Sequence, residues 1–304
     1  MSTNNDSIRS ILYAFFANFA IAIAKGAAAF YTGSGAMLAE AIHSLADSCN
    51  QLLLLFGMKQ STRPPDADYP LGYGKSIYFW SFLVAVILFS LGGMFSIYEG
   101  IHKFNHPEPL SQPMIAVGVL VFAIIAESGS LWGCMHAVNK ERHGRSLPLW
   151  FRESRSSELI VVFGEDVAAL AGLVLALCAV LAAAVTGNPI YDAIGTIIIG
   201  VLLIVIAVFI AIEVKALLIG QGVEKRVSTE MNAFLSEQPE IEHIYNFLTL
   251  QLGPDIMVAI KAKMHTTGSE EGLINAVNKV EREFRKAFPK TTWLFFEPDN
   301  NDND

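Results

Sequence analysis

His43 and Asp47 stand four residues apart in the stretch Glu40-Ala-Ile-His-Ser-Leu-Ala-Asp-Ser-Cys-Asn-Gln51. On an α-helix that spacing puts an imidazole and a carboxylate one turn apart on one face. Such a pair makes half of a site for a borderline metal ion such as zinc. It makes a helix-packing hydrogen bond equally well, and the pair alone does not decide. Glu40 lies a turn earlier, close to the same face. Asn50 follows Asp47 by about a turn, where it either orients a ligand or packs.

A second acidic group, Gly164-Glu165-Asp166, falls inside the apolar run from Leu159 to Val185. An aspartate at the centre of a membrane helix costs about 2.5 kcal/mol or more to insert, so such residues face a protein interior or a water-filled path. Either the helix boundary lies about two turns further on and leaves these carboxylates at the interface, or Asp166 joins His43 and Asp47 across two helices. In the second case three ligands, with Glu165 or water as the fourth, form a tetrahedral site. Clustered carboxylates repel one another when all are charged. A divalent cation relieves that repulsion and so does proton uptake, which is the physical basis of metal/proton exchange. Glu127, near the centre of another apolar run, is either a proton-relay group or a hydrogen-bonding partner of a neighbouring helix.

Of the 304 residues, 53% are hydrophobic and 16% charged, whereas about a quarter of a soluble protein's residues are charged. Charge is sparse over residues 10 to 58 and dense over 221 to 304. The pattern predicts an α-helical membrane protein followed by a small soluble α+β domain. A net charge of -8 gives no reason to expect nucleic acid as a partner. Cys49, Cys134 and Cys178 sit in apolar runs without a CxxC pair and are read as packing thiols.

The expected layout is a polar N-terminal tail over 1–7 and a membrane domain over 8–220. A small domain covers 221–299, and an acidic tail 300–304. Six spans are expected, at about 8–31, 37–58, 77–102, 114–138, 159–185 and 191–220. The loops after the second and fourth spans hold three and five Lys or Arg residues, against none, one and none in the other three. By the positive-inside rule both termini are cytoplasmic. Beyond Gly220 the periodicity predicts a helix over 228–237 and strands over 244–252 and 256–264. A capping box at Thr267–Glu270 then opens a second helix, and a last strand covers 291–297. That order, αββαβ, is small for an independent core and would gain from dimerisation. His243 and His265 are the candidates for a cytosolic metal site, against a plainer reading as surface or structural residues.

Six spans, His43-x-x-x-Asp47 in the second, an acidic residue in the fifth and the C-terminal αββαβ order together resemble the cation diffusion facilitator family. The stretch from Glu40 to Gln51, Gly164-Glu165-Asp166 and Thr186-Gly-Asn-Pro-Ile-Tyr-Asp192 are similar to the branch of mitochondrial zinc transporter nine and its bacterial relatives. The resemblance implies a homodimeric, proton-coupled antiporter with alternating access that exports zinc or a related divalent cation from the cytoplasm, here across a bacterial inner membrane. The implied partners are a second copy, the metal ion, protons and the lipid bilayer, with no resident cofactor. The family's transport motif is HxxxD or DxxxD in the second span and HxxxD in the fifth. His43 and Asp47 match the first and Asp166 ends the second, but Val162 stands where the second histidine would be. Glu165 is the local substitute. This exchange of a nitrogen for an oxygen suits manganese or iron better than an imidazole-rich site would.

The expectation is therefore a metal exporter and not an enzyme. The alternative cargoes are manganese, iron and cobalt. An intramembrane metalloenzyme is the alternative of another class, and no HExxH pair or nucleophile speaks for it.

Overall fold

The computed structural model describes residues 2–110 and 112–301; Met1 and the end of the acidic tail, 302–304, lie outside them. The chain divides into two compact units. The first comprises Met1–Gly57, Phe79–Leu147 and Ser157–Val214, and the second Met58–Tyr78, Pro148–Ser156 and Lys215–Asp304. The loop after the second helix and the one before the fifth expected span therefore belong with the C-terminal unit.

The first unit is helical throughout. α1 (Ser2–Thr32) includes residues 2–7, which sequence composition assigns to a polar tail. α2 (Gly35–Ser61) follows after a two-residue turn. Next, α3 (Ser76–Ile87), a π-helical stretch (Leu88–Met94) and α4 (Phe95–Asn105) run on as one helix. α5 (Pro113–Glu141) opens on a proline, whose missing N–H costs nothing at a helix start. A short helix that the sequence did not announce, α6 (Leu147–Glu153), belongs from Pro148 on to the second unit, and α7 (Ser157–Thr186) and α8 (Ile190–Ile219) follow it in the chain.

Among the described residues, four helices are long and apolar enough to cross a membrane: Ser76–Asn105, Pro113–Glu141, Ser157–Thr186 and Ile190–Ile219. The six spans expected from the sequence are thus four by this measure. α1 and α2 have 31 and 27 residues, more than the roughly 20 a bilayer requires. α2 also carries Glu40, His43, Ser44, Asp47, Ser48, Asn50 and Gln51, and these polar residues lower its hydropathy. At one end of this unit Asp192 accepts hydrogen bonds from Ser34 Oγ at 2.6 Å and Gly35 N at 2.7 Å. The aspartate that closes the Thr186–Asp192 stretch thus ties the α1–α2 turn to the start of α8.

The second unit is built on a three-stranded sheet of β1 (Ile241–Leu252), β2 (Asp255–Met264) and β3 (Thr291–Pro298), in the order β1-β2-β3. β1 and β2 form an antiparallel hairpin, and β3 returns parallel to β2 through a helical crossover. α9 (Lys225–Ser236) and α10 (Glu270–Ala287) supply Met231, Leu235, Val280 and Phe284, which close the core over Ile256, Val258, Ile260 and Ala262 of β2. β2 alternates buried and partly buried residues from Asp255 to Ile260, after which Lys261 and Ala262 are both buried. The cap of α10 lies two residues beyond the expected Thr267, at Ser269, whose hydroxyl accepts from Gly272 N at 3.0 Å.

Within this second unit the hairpin turn meets the loop that follows α2. Gly253 N donates to the buried Tyr78 hydroxyl at 2.9 Å. Gly253, with φ +65°, and Gly74 approach backbone to backbone: a Cβ on Gly74 would overlap the Leu252 carbonyl, and one on Gly253 the Gly74 carbonyl.

Candidate metal centre

His43 and Asp47 lie in the middle of α2, and both are buried. His43 Nε2 is 3.6 Å from Asp47 Oδ2. That is too long for a hydrogen bond, so the helix-packing reading of the pair loses its basis. Neither imidazole nitrogen of His43 has a hydrogen-bond partner, and Asp47 Oδ1 has none. A buried polar atom left unpaired costs about 1–3 kcal/mol, and a native protein keeps such atoms for a reason. Lone pairs of nitrogen and oxygen aimed inward without donors are what a cation uses.

The second acidic group is well inside α7, with Glu165 eight residues past the helix start at Ser157. The two neighbouring carboxylates diverge. Glu165 is buried and accepts from Asn50 Nδ2 of α2 at 2.5 Å. Asp166 turns to α5, where Ser130 Oγ donates to its Oδ1 at 3.1 Å and the Cys134 thiol is bonded to it. Its Oδ2 is buried without a partner. This split follows from helix geometry, since adjacent residues point about 100° apart. Asp47 is within Coulombic range of Glu165, Glu127 and Asp166, and Glu127 is itself buried in α5. Yet among the described residues no three His, Cys, Asp or Glu side chains gather closely enough to hold a metal ion. The structure brings His43 towards Asp47 and Asn50 to Glu165, but does not close the four expected ligands into one shell.

Asn50 thus orients Glu165. Of the three cysteines expected to pack, Cys49 and Cys178 are exposed on their helices, and the half-buried Cys134 meets Asp166. His243 and His265 are both exposed. His243 stacks edge-on with Tyr245 at 5.1 Å, and His265 N bonds the Glu240 carbonyl at 3.0 Å.

Sequence reasoning missed Lys25. This lysine of α1 is fully buried, with its Nζ 2.6 Å from Ser44 Oγ and 3.3 Å from Glu40 Oε2. Among the described residues it is the one buried lysine or arginine of the first unit. The signal was available, because an ionisable residue inside an apolar helix marks function by default.

The chain matches the model of the cation efflux transmembrane domain over residues 11–219. The chain belongs to the cation diffusion facilitator family of transporters. Relatives within and around this family include the mitochondrial proton-coupled zinc antiporter SLC30A9 of Xenopus laevis, 32% identical over 78% of this chain and 43% of that protein. Metal tolerance protein C4 of Arabidopsis thaliana is 31% identical over 82% of this chain and 55% of its own length. Magnetosome protein MamB of Magnetospira sp. is 27% identical over 82% and 80%. The chain therefore spans about half the length of the first two relatives. In this cation diffusion facilitator the match ends where α8 ends, and the sheet domain lies outside it.

Proposed function

We propose that this protein is a proton-coupled antiporter that exports a divalent transition metal, zinc first, from the cytoplasm. Six helices, α1, α2, the α3–α4 helix, α5, α7 and α8, would cross a bacterial inner membrane with both termini cytoplasmic, as the segregation of Lys and Arg among the loops supports. The chain works as a homodimer, and the αββαβ domain supplies dimerisation and regulation. The observation that carries the reading is the set of buried, unpaired donor atoms on His43, Asp47 and Asp166, beside the Asn50–Glu165 pair.

His43, Asp47, Asp166 and Glu165 are the proposed ligands of the transported ion. Asn50 positions Glu165, while Glu127 and Glu40 serve either to relay protons or to support the ligands. Glu165 already meets α2 through Asn50, so closing the shell requires Asp166 to leave Ser130 of α5 and turn towards α2, by a change of rotamer or a small rotation of α7. When the metal leaves, protons on the same carboxylates replace its charge. The name of the Xenopus relative, a proton-coupled zinc antiporter, supports zinc and proton coupling. Val162 in place of a second histidine favours a harder ion, and manganese, iron or cobalt is the second reading.

Uptake into proteoliposomes under an imposed pH gradient, run in parallel with zinc, cobalt, manganese and iron, tests both readings. Zinc flux driven by the gradient is the expected result. Flux that ignores the gradient would remove the antiport, and flux of manganese or iron alone would exchange the cargo.

A further inference from the structure

Among the described residues of the helical unit, buried carboxyl groups outnumber buried amines. Glu40, Asp47, Glu127, Glu165 and Asp192 are buried and Asp166 is partly so, while Lys25 is the one buried amine among the described residues of this unit. The ammonium is held on one side by Glu40 and on the other by Ser44, the residue next to His43. It lies within Coulombic range of His43, Asp47 and Glu127. A lysine carries its charge on a flexible four-carbon stem, so the same ammonium could reach a different carboxylate if its present partner were lost. A positive charge loose among the carboxylates would take the place of part of the metal's charge.

Glu40 is equally specific. Its Oε2 faces Lys25 while its Oε1 has no partner and lies against Gly172 of α7, where a Cβ would overlap it. Gly172 is thus the residue that lets the Glu40 carboxylate fit between α2 and α7. The pair is fully buried, and a buried pair of this kind is poor evidence for stability in itself. A hydrophobic pair would pack there at least as well.

We propose that Glu40 is a positioning residue that parks the Lys25 ammonium beside Ser44, and that Lys25, when released from it, acts as a tethered cation that competes with the transported metal for Asp47 and its neighbouring carboxylates. The pair then sets how much positive charge the site still accepts, and hence its preference for a divalent ion. This rests on the metal site proposed above.

The test is a charge cycle read by zinc calorimetry on the purified full-length protein, with Asp47→Ala as the reference. Glu40→Gln removes the counter-charge of Lys25 while Ser44 stays beside it, and is expected to weaken zinc binding about tenfold or more through the repulsion between a freed unit charge and a divalent ion. Lys25→Met is expected to bind zinc at least as tightly as the unaltered chain. Glu40→Gln with Lys25→Met is expected to recover affinity to within about threefold of the unaltered chain, which shows that the two residues are coupled; a merely structural ion pair would give that rescue too, but would also lose affinity in Lys25→Met alone, where the tethered cation predicts none. Equal losses in Glu40→Gln and the double variant would overturn the proposal and make Glu40 a ligand or a packing group. A tenfold loss in Lys25→Met would overturn it independently, even if Glu40→Gln did not fold. If Asp47→Ala abolishes binding while Glu40→Gln binds normally, the metal site stands and the parking role fails. If Asp47→Ala binds zinc normally, the site and this inference fall together.

Discussion

Asp47 has one oxygen 3.6 Å from His43 and another that nothing in the protein satisfies. Asp47→Ala should therefore abolish metal flux while the protein still inserts and purifies as a single species. Normal flux from such a preparation would take Asp47 out of the site. Asn50 makes a different prediction, because it touches Glu165 and is not proposed to touch the metal. Asn50→Ala should cost about 10–100-fold in zinc affinity, the usual effect of losing a ligand's supporting hydrogen bond. Glu165→Gln should cost more and should also lower the number of protons released on binding, which calorimetry in two buffers of different ionisation enthalpy measures. His43, Asp47 and Glu165 were legible because a polar residue in an apolar helix stands out against its neighbours. That Glu165 and Asp166 diverge follows from their adjacency on a helix, but which carboxylate meets which helix was not legible, since it depends on how α2, α5 and α7 pack. Lys25 was overlooked for a plainer reason: one charge in a long apolar run looks like noise until its partners, fifteen and nineteen residues on, are seen around it.

At the scale of elements, the sheet domain came almost directly from its periodicity. Strand β2 alternates buried and partly exposed residues along its first half, and α9 buries Met231 and Leu235 as expected. The π-helical stretch and α6 were not foreseen. A π-helix has no hydrophobic period of its own in seven residues, and α6 is too short to show one. The domain's outward sheet face leaves Leu248 and Phe295 more than half exposed. Residues 221–299 on their own should dimerise without metal, and sedimentation showing a monomer at high concentration would contradict this. Its surface also carries a defined pH response. Hydrogen bonds from Lys263 and Lys286 hold Glu242 and Glu283 below the usual carboxylate range, and Asp299 is lowered by the Asn300 N–H and by Lys261. Groups lowered in the folded state add stability that is present above the ordinary carboxylate value and lost as pH falls through the lowered one. The melting temperature of the domain should accordingly fall as pH drops from about 5 to about 3, and Lys263→Met should flatten part of that fall.

Across the whole molecule, membership of the family was legible from the place of one motif within a string of apolar helices, and the chain's match over residues 11–219 agrees with that reading. The number of crossings was less legible, because the helix that carries the polar site is made less apolar by it. Cysteines placed at residue 3 and residue 300 in a chain without Cys49, Cys134 and Cys178 should both react with a membrane-impermeant maleimide only after the cytoplasmic face is opened. Labelling of one terminus from outside would mean an odd number of crossings. The meeting of Gly74 with Gly253 bears on heredity instead of transport. Neither backbone can gain a single carbon while the other stays where it is. In a library of single substitutions selected for growth in toxic zinc, these two glycines should be as depleted as Asp47, although neither carries a side chain that could bind an ion. In the descendants of this gene they should be kept together or lost together.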